Sequence, residues 1–166
     1  MEISNLFANI TSQLAVFFTA MTPIGEIRAA IPLGLGAYKL SIYSVFIISV
    51  IGNLIPAVAI ICILGPLSQY LMRKFRFANR FFNWLFNRTR RKYSKKFEKY
   101  SGFALALFVG IPLPITGAWT GALIAFVFGI PPKKAILDIF LGIIMAGIIV
   151  TVIFKTIGYV KFITVG

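Results

Sequence analysis

Long apolar runs alternate along this chain with short clusters of breakers and charge. Residues 3–25, 40–72 and 100–132 contain no charged side chain, and residues 135–154 contain only Asp138. A helix crosses the hydrocarbon core of a bilayer with roughly 20 apolar residues, so several of these runs are long enough. Two of them are interrupted. Pro23, Gly25, Pro32 and Gly34 interrupt the first, and Pro112, Pro114, Gly117 and Gly121 the second. Non-helical backbone at membrane depth survives only where protein or a water-filled cavity surrounds it. The pattern therefore predicts a helix over 3–21, a break near Pro23–Gly25, and a chain that leaves on the side it entered. A span over 42–64 follows, with Ser41 as its N-cap and Gly65-Pro66 closing it. A second approach helix over 103–109 meets the second break, and 136–154 forms the last span.

Between these regions the chain changes character. Eleven of the seventeen basic residues fall within 70–99, against one acid, Glu98. Such an excess marks a cytoplasmic connection by the positive-inside rule. Leu71, Phe75, Ala78, Phe82 and Leu85 follow a helical four-three spacing, and Arg76, Arg80, Asn83, Asn87 and Arg90 form a polar stripe. With Phe77, Phe81 and Trp84 flanking, the segment reads as an in-plane helix drawn to anionic lipid headgroups over 73–99. Nucleic acid is set aside, because topology and lipid contact account for the charge.

The two interrupted regions correspond at an offset of about 90 residues, a weak symmetry of the kind found in transporters. Pro23-Ile24 answers Pro114-Ile115, and Gly52 answers Gly142. The expected fold class is an all-α polytopic membrane protein of two inverted halves, 3–65 and 101–161. Each half is a re-entrant helical hairpin followed by a transmembrane helix. The basic amphipathic cytoplasmic linker 66–100 joins them in a single membrane domain, with both termini outside. A chain with so few spans is expected to form a homo-oligomer to enclose a cavity.

Composition supports the membrane class: 59% of the 166 residues are hydrophobic and 13% charged, whereas a soluble domain has about a quarter charged. Mean hydropathy is +0.92. The chain has four acids, one cysteine and no histidine. That excludes a Ser-His-Asp triad and a zinc site, so no metal, no cofactor and no enzyme activity are expected. Cys62, inside an apolar run, is expected to be a small packed hydrophobe. The opening Met-Glu-Ile-Ser-Asn lacks a basic leader, so the mature chain is expected to begin here.

The candidate chemistry sits in the breaks. Glu26 and Arg28 are isolated charges in apolar sequence, which normally face a cavity or pair with a partner. A structural ion pair holding the first tip is one reading. The functional one divides the roles: the fork of Arg28 suits a phosphate or carboxylate, while Glu26, withdrawn from water, exchanges a proton. Thr116, Thr120 and nearby backbone N–H groups would complete an anion site at a half-helix N-terminus. Gly117, Gly121 and Ala125 otherwise form a small-residue packing face. Trp119 is an interfacial anchor or a cavity wall. Asn53 is expected to satisfy a carbonyl freed by Pro56 or to reach a neighbouring helix. Asp138, near a helix start and one turn after Lys134, is expected to favour the helix dipole.

Gly25-Glu-Ile-Arg-Ala-Ala-Ile-Pro-Leu-Gly34 and Pro112-Leu-Pro-Ile-Thr-Gly-Ala-Trp-Thr-Gly121 resemble the two signatures of the small multidrug export protein family, a resemblance that covers most of the chain outside the linker. That resemblance implies export. More distantly, the layout is similar to the DedA family of membrane proteins, whose paired re-entrant hairpins are implicated in moving lipid-phosphate carriers. By that similarity Glu26 would be the protonation site. The DedA arginine of the second hairpin has no counterpart in 110–129, so Arg28 would have to take over anion binding. The leading expectation is a proton-coupled transporter of a lipid phosphate or other amphipathic anion. The alternatives are an exporter of cationic amphipathic drugs, with Glu26 as the cation partner, and a non-transporting membrane scaffold acting through the linker.

Overall fold

In the computed structural model, backbone is described for residues 2–90, 95–113 and 116–165, and side chains for 7–88, 103–113 and 116–158. Every described element is helical. They are α1 (Glu2–Met21), α2 (Glu26–Pro32) running into a wide π turn (Leu33–Ala37), and α3 (Ile42–Lys74). After these come α4 (Arg76–Arg90), α5 (Lys95–Gly110), α6 (Ala118–Phe128) and α7 (Pro132–Val165). Residues 42–74 and 132–158 are long and apolar enough to cross a membrane; the 33 residues of α3 extend about 50 Å at 1.5 Å each. Ser41 caps α3 as expected, its hydroxyl accepting from the Ser44 N–H at 3.2 Å.

Glycine contacts give the helix directions. Gly34 lies against both Val16 and Val45, and Gly52 against Phe17 and Ala20. Thus α1 and α3 run the same way, with α2 returning between them. In the second half Gly142 meets Ala106 and Val109, and Gly110 meets Met145, so α5 and α7 also run parallel. Gly121 of α6 sits between Val109 and Ile139. Between halves the sense reverses: Gly147 of α7 is beside Phe46 early in α3, whereas Pro131 and Pro132 share a cavity wall with Ile61 and Met72 late in α3. The return helices are exchanged: α2 packs on α7 as well as α3, and α6 on α3 as well as α7.

Gly52 and Gly142 serve the same purpose. A Cβ at Gly52 would lie 2.7 Å from the Phe17 carbonyl oxygen, and one at Gly142 2.7 Å from that of Ala106. Each glycine lets its long helix touch the backbone of the first helix in its own half. Around these crossings the core is mostly small and β-branched: Val16, Ala20, Ala30, Val45, Ala57, Ala118, Ala122, Ala135 and Ile139 are buried. Close backbone approach and van der Waals contact supply the association that water would otherwise drive.

Several expectations are corrected. Gly65-Pro66 does not close α3, which runs on to Lys74, about two turns further. Pro66 withholds the N–H that would meet the Cys62 carbonyl, and the helix continues through it; nearby, Ser68 Oγ donates to the Gly65 carbonyl at 2.8 Å. Phe75 is the extended residue between α3 and α4 and is exposed, so the apolar face of α4 is Ala78, Phe82, Leu85 and Phe86. Phe82 and Phe86 pack edge-on to Phe126 of α6 at 6.4 and 5.6 Å. The second approach helix, expected over 103–109, is longer: α5 begins at Lys95 and ends at Gly110. Cys62 is exposed on α3 rather than packed. The side chain of Arg90 and those from residue 89 to 102 lie outside the described residues.

Candidate functional site

The break after α1 is short. The Thr22 hydroxyl donates to the Thr19 carbonyl at 2.8 Å and accepts from the Gly25 N–H at 3.0 Å, which ties the turn. Glu26 then takes φ +45°. That left-handed conformation costs a side chain about 1–2 kcal/mol, and it persists because the surroundings over-determine it. Its side chain turns inward and the residue is 5% exposed, although nearby Ile24 is 97% exposed.

The carboxylate does not lie against lipid or an empty space. It lies against Gly117 of the second break, so closely that a Cβ there would coincide with it. Backbone N–H groups of Ala118 and Trp119, the first two residues of α6, point at it, the Trp119 N–H at 3.5 Å from Oε1. A carboxylate at a helix N-terminus completes donors that the helix cannot satisfy itself. Glu26 thus caps α6 from the other half of the molecule.

Arg28 reaches across in the same way. Its Nη1 donates to the Leu113 carbonyl, and Nη2 donates to Thr116 Oγ1 at 3.1 Å while standing 3.8 Å from Glu26 Oε2. The Thr116 hydroxyl is placed for this by its own break: Oγ1 lies 2.7 Å from the Ile111 carbonyl and 2.9 Å from that of Leu113. Donating there leaves lone pairs free for the guanidinium. Arg28 Nε is buried without a partner. Two charges two residues apart, which would diverge on a regular helix, converge because Glu26, the first residue of α2, has a left-handed φ that takes it off the regular helical path.

The second half reciprocates. Trp119 Nε1 donates to the Met21 carbonyl at 3.2 Å, at the C-terminal end of α1. Arg28 and Trp119, corresponding residues of the two halves, therefore each bond a backbone carbonyl where the other half breaks. Trp119 is thus half of a clasp.

Of the other expected residues, Pro23, Gly25, Pro112 and Gly117 lie in the breaks, while Pro114 lies outside the described residues. Pro32 and Gly34 do not interrupt the helix. Pro32 withholds one N–H, and the turn widens, the Tyr38 N–H bonding Leu33 O at 3.2 Å; Gly34 is a contact point for Val16 and Val45. Gly121 is likewise within α6 and packs on Val109. Thr120 is half-buried in the first turn of α6. Asp138 is seven residues into α7, beyond the turn where a dipole acts, and it is buried with Oδ2 unpartnered. Asn53 is 2% exposed and its Oδ1 has no partner. No group of metal-binding side chains occurs among the described residues.

The carbonyls of Leu113 and Met21 were not foreseen, because a backbone acceptor leaves no mark in sequence. Gly117 reads in sequence as a breaker or as part of a small-residue packing face; its closeness to Glu26 is a tertiary fact. A family model described as "Putative small multi-drug export protein" matches residues 26–149. No curated protein and no solved structure matches the chain.

Proposed function

The chain belongs to the small multi-drug export protein family, and from that membership we propose that it is a proton-coupled membrane transporter of an amphipathic anion, a lipid phosphate being the leading substrate class. The observation that carries this reading is the clasp in which Glu26 fills an anion position built by Arg28 and the N-terminus of α6. Here the carboxylate of Glu26 occupies the place an incoming anion would take. Protonating Glu26 removes that tethered anion and leaves Arg28 and the α6 N–H groups to receive the substrate. Release of a proton on the other side restores the clasp and expels the anion.

The reading treats α1–α2 and α5–α6 as re-entrant hairpins of two halves inverted in the membrane, with both termini outside and 75–95 in the cytoplasm. Lengths support it. The seven residues of α2 with the five of the π turn, and the eleven of α6, extend only about 17 Å, against about 30 Å of hydrocarbon. Parallel α1/α3 and α5/α7 also require that the intervening helix return. Exposed Ile24, Ile111 and Leu113 around the clasp give it an apolar margin suited to a lipid tail. A homo-oligomer would shield that margin.

Transport of a long-chain alkyl phosphate into proteoliposomes under an imposed pH gradient tests the proposal. Wild type should move it, and Glu26→Gln and Arg28→Ala should not; unchanged transport in both variants would refute it. The family description favours a second reading, export of cationic amphipathic drugs. In that case a cationic dye would be moved in a way that needs Glu26 and does not need Arg28.

A further inference from the structure

A groove far from the clasp takes no part in the reading above. It lies between late α3, α4, the end of α6 and the start of α7, and has a volume of about 380 Å³. Its walls include Gly65, Met72, Phe86, Phe126, Ile130 and Pro132. The wall at Gly65 is open, since a Cβ there would meet nothing within 4 Å. The left-handed Gly129, at φ 71°, turns the chain from α6 towards α7 along the groove's edge. The surface is mainly hydrocarbon, with Ser68 and Gln69 as its polar wall residues. Two exposed cations are next in sequence to wall residues, Arg73 after Met72 and Lys133 after Pro132. Asp138, the described acid on α7, is buried one turn beyond Lys134.

We propose that this groove holds one acyl chain of an anionic phospholipid of the inner leaflet, with its phosphate between Arg73 and Lys133. An apolar trough edged by cations matches a molecule that joins a hydrocarbon tail to a negative headgroup. The setting is consistent, because α4 turns Phe77 and Trp84 outward, as an in-plane helix does in the headgroup region. A second copy of the chain is a poor match for the rim, since it carries four acids against seventeen basic residues, and Glu26 and Asp138 are buried. The bound lipid fixes α4 against α6 by filling the space behind Phe86. The claim is independent of what the clasp transports.

Native mass spectrometry of the full chain in mild detergent, titrated with phosphatidylglycerol and with phosphatidylcholine of the same acyl chains, tests it. Wild type should retain a single phosphatidylglycerol with about tenfold preference. Gly65→Leu fills the open wall on a helix that tolerates leucine better than glycine; it should lose that lipid with thermal unfolding no earlier than wild type. The double variant Arg73→Gln/Lys133→Gln should keep a lipid but lose the preference, and it decides the matter should Gly65→Leu fail to fold. Glu26→Gln should keep the lipid whatever it does to transport. Equal retention of both lipids by wild type, retention of phosphatidylglycerol by a folded Gly65→Leu, or a dimer that Gly65→Leu converts to monomer without changing lipid retention, would each overturn the proposal.

Discussion

In the first break a carboxylate and a guanidinium stand at residues 26 and 28; in the second, the corresponding residues are Gly117 and Trp119. The folds around them match, with each return helix packed on the other half's long helix and a glycine at each crossing. The side chains are complementary rather than alike. Where the two halves meet there is room for one carboxylate, and Glu26 fills it because Gly117 has no side chain. Both long residues, Arg28 and Trp119, bond the opposite break, but only one carries charge. A buried charge is expensive to hold and strongly coupled to its partners, so the first half carries the ionisable groups and the second supplies their cradle.

Adding a methyl group to the cradle should have the largest effect. Gly117→Ala puts a Cβ where the Glu26 carboxyl lies, and overpacking of this kind costs about 1–3 kcal/mol or more. Thermal unfolding in detergent should fall well below wild type. In Gly117→Ala/Glu26→Ala the stability should return to that of Glu26→Ala alone, a coupling that a double-mutant cycle measures. If the two losses simply add, the carboxylate is not seated there.

Removing the guanidinium should come next. Arg28→Ala deletes the bonds to Leu113 and Thr116 and leaves Glu26 without its cation. Breaking a fully buried pair costs about 3–5 kcal/mol; with Arg28 22% exposed, about 2 kcal/mol is expected once solvent screening is allowed for. Arg28→Lys should recover only part of this, because an ammonium lacks the fork that meets two acceptors. Full recovery by lysine would reduce Arg28 to a point charge.

The matched crossings offer a sharper comparison. Gly52→Ala and Gly142→Ala each set a Cβ 2.7 Å from a carbonyl oxygen of the first helix in their half, so each should destabilise by about 1–3 kcal/mol, and by similar amounts. A large effect at one position and none at the other would break the symmetry. Trp119→Phe keeps the ring and deletes only the bond to the Met21 carbonyl. It should cost about 1 kcal/mol, read as a small shift in thermal unfolding, and transport should survive.

Local sequence determined a great deal here. The apolar runs specify the spans, the Pro-Gly clusters at 23–25 and 112–117 specify where the chain leaves off helix, and Ser41 caps α3 as its type and position require. These outcomes depend on neighbouring residues and the surrounding solvent alone. Where local rules compete with packing, they lose: Pro66 and Pro32 stay within helical backbone because a helix already held by its neighbours tolerates one missing donor, and Gly34 does so where Val16 and Val45 pack against it. Only the tertiary structure decided what Glu26 and Arg28 touch. Their partners are a glycine, two N–H groups, a carbonyl and the Thr116 hydroxyl, all about 90 residues away; of these only Thr116 carries a side chain that sequence could single out. Groups belonging to the backbone are the same at every position, so nothing in the order of residues distinguishes the ones that meet a charge until two halves fold against each other.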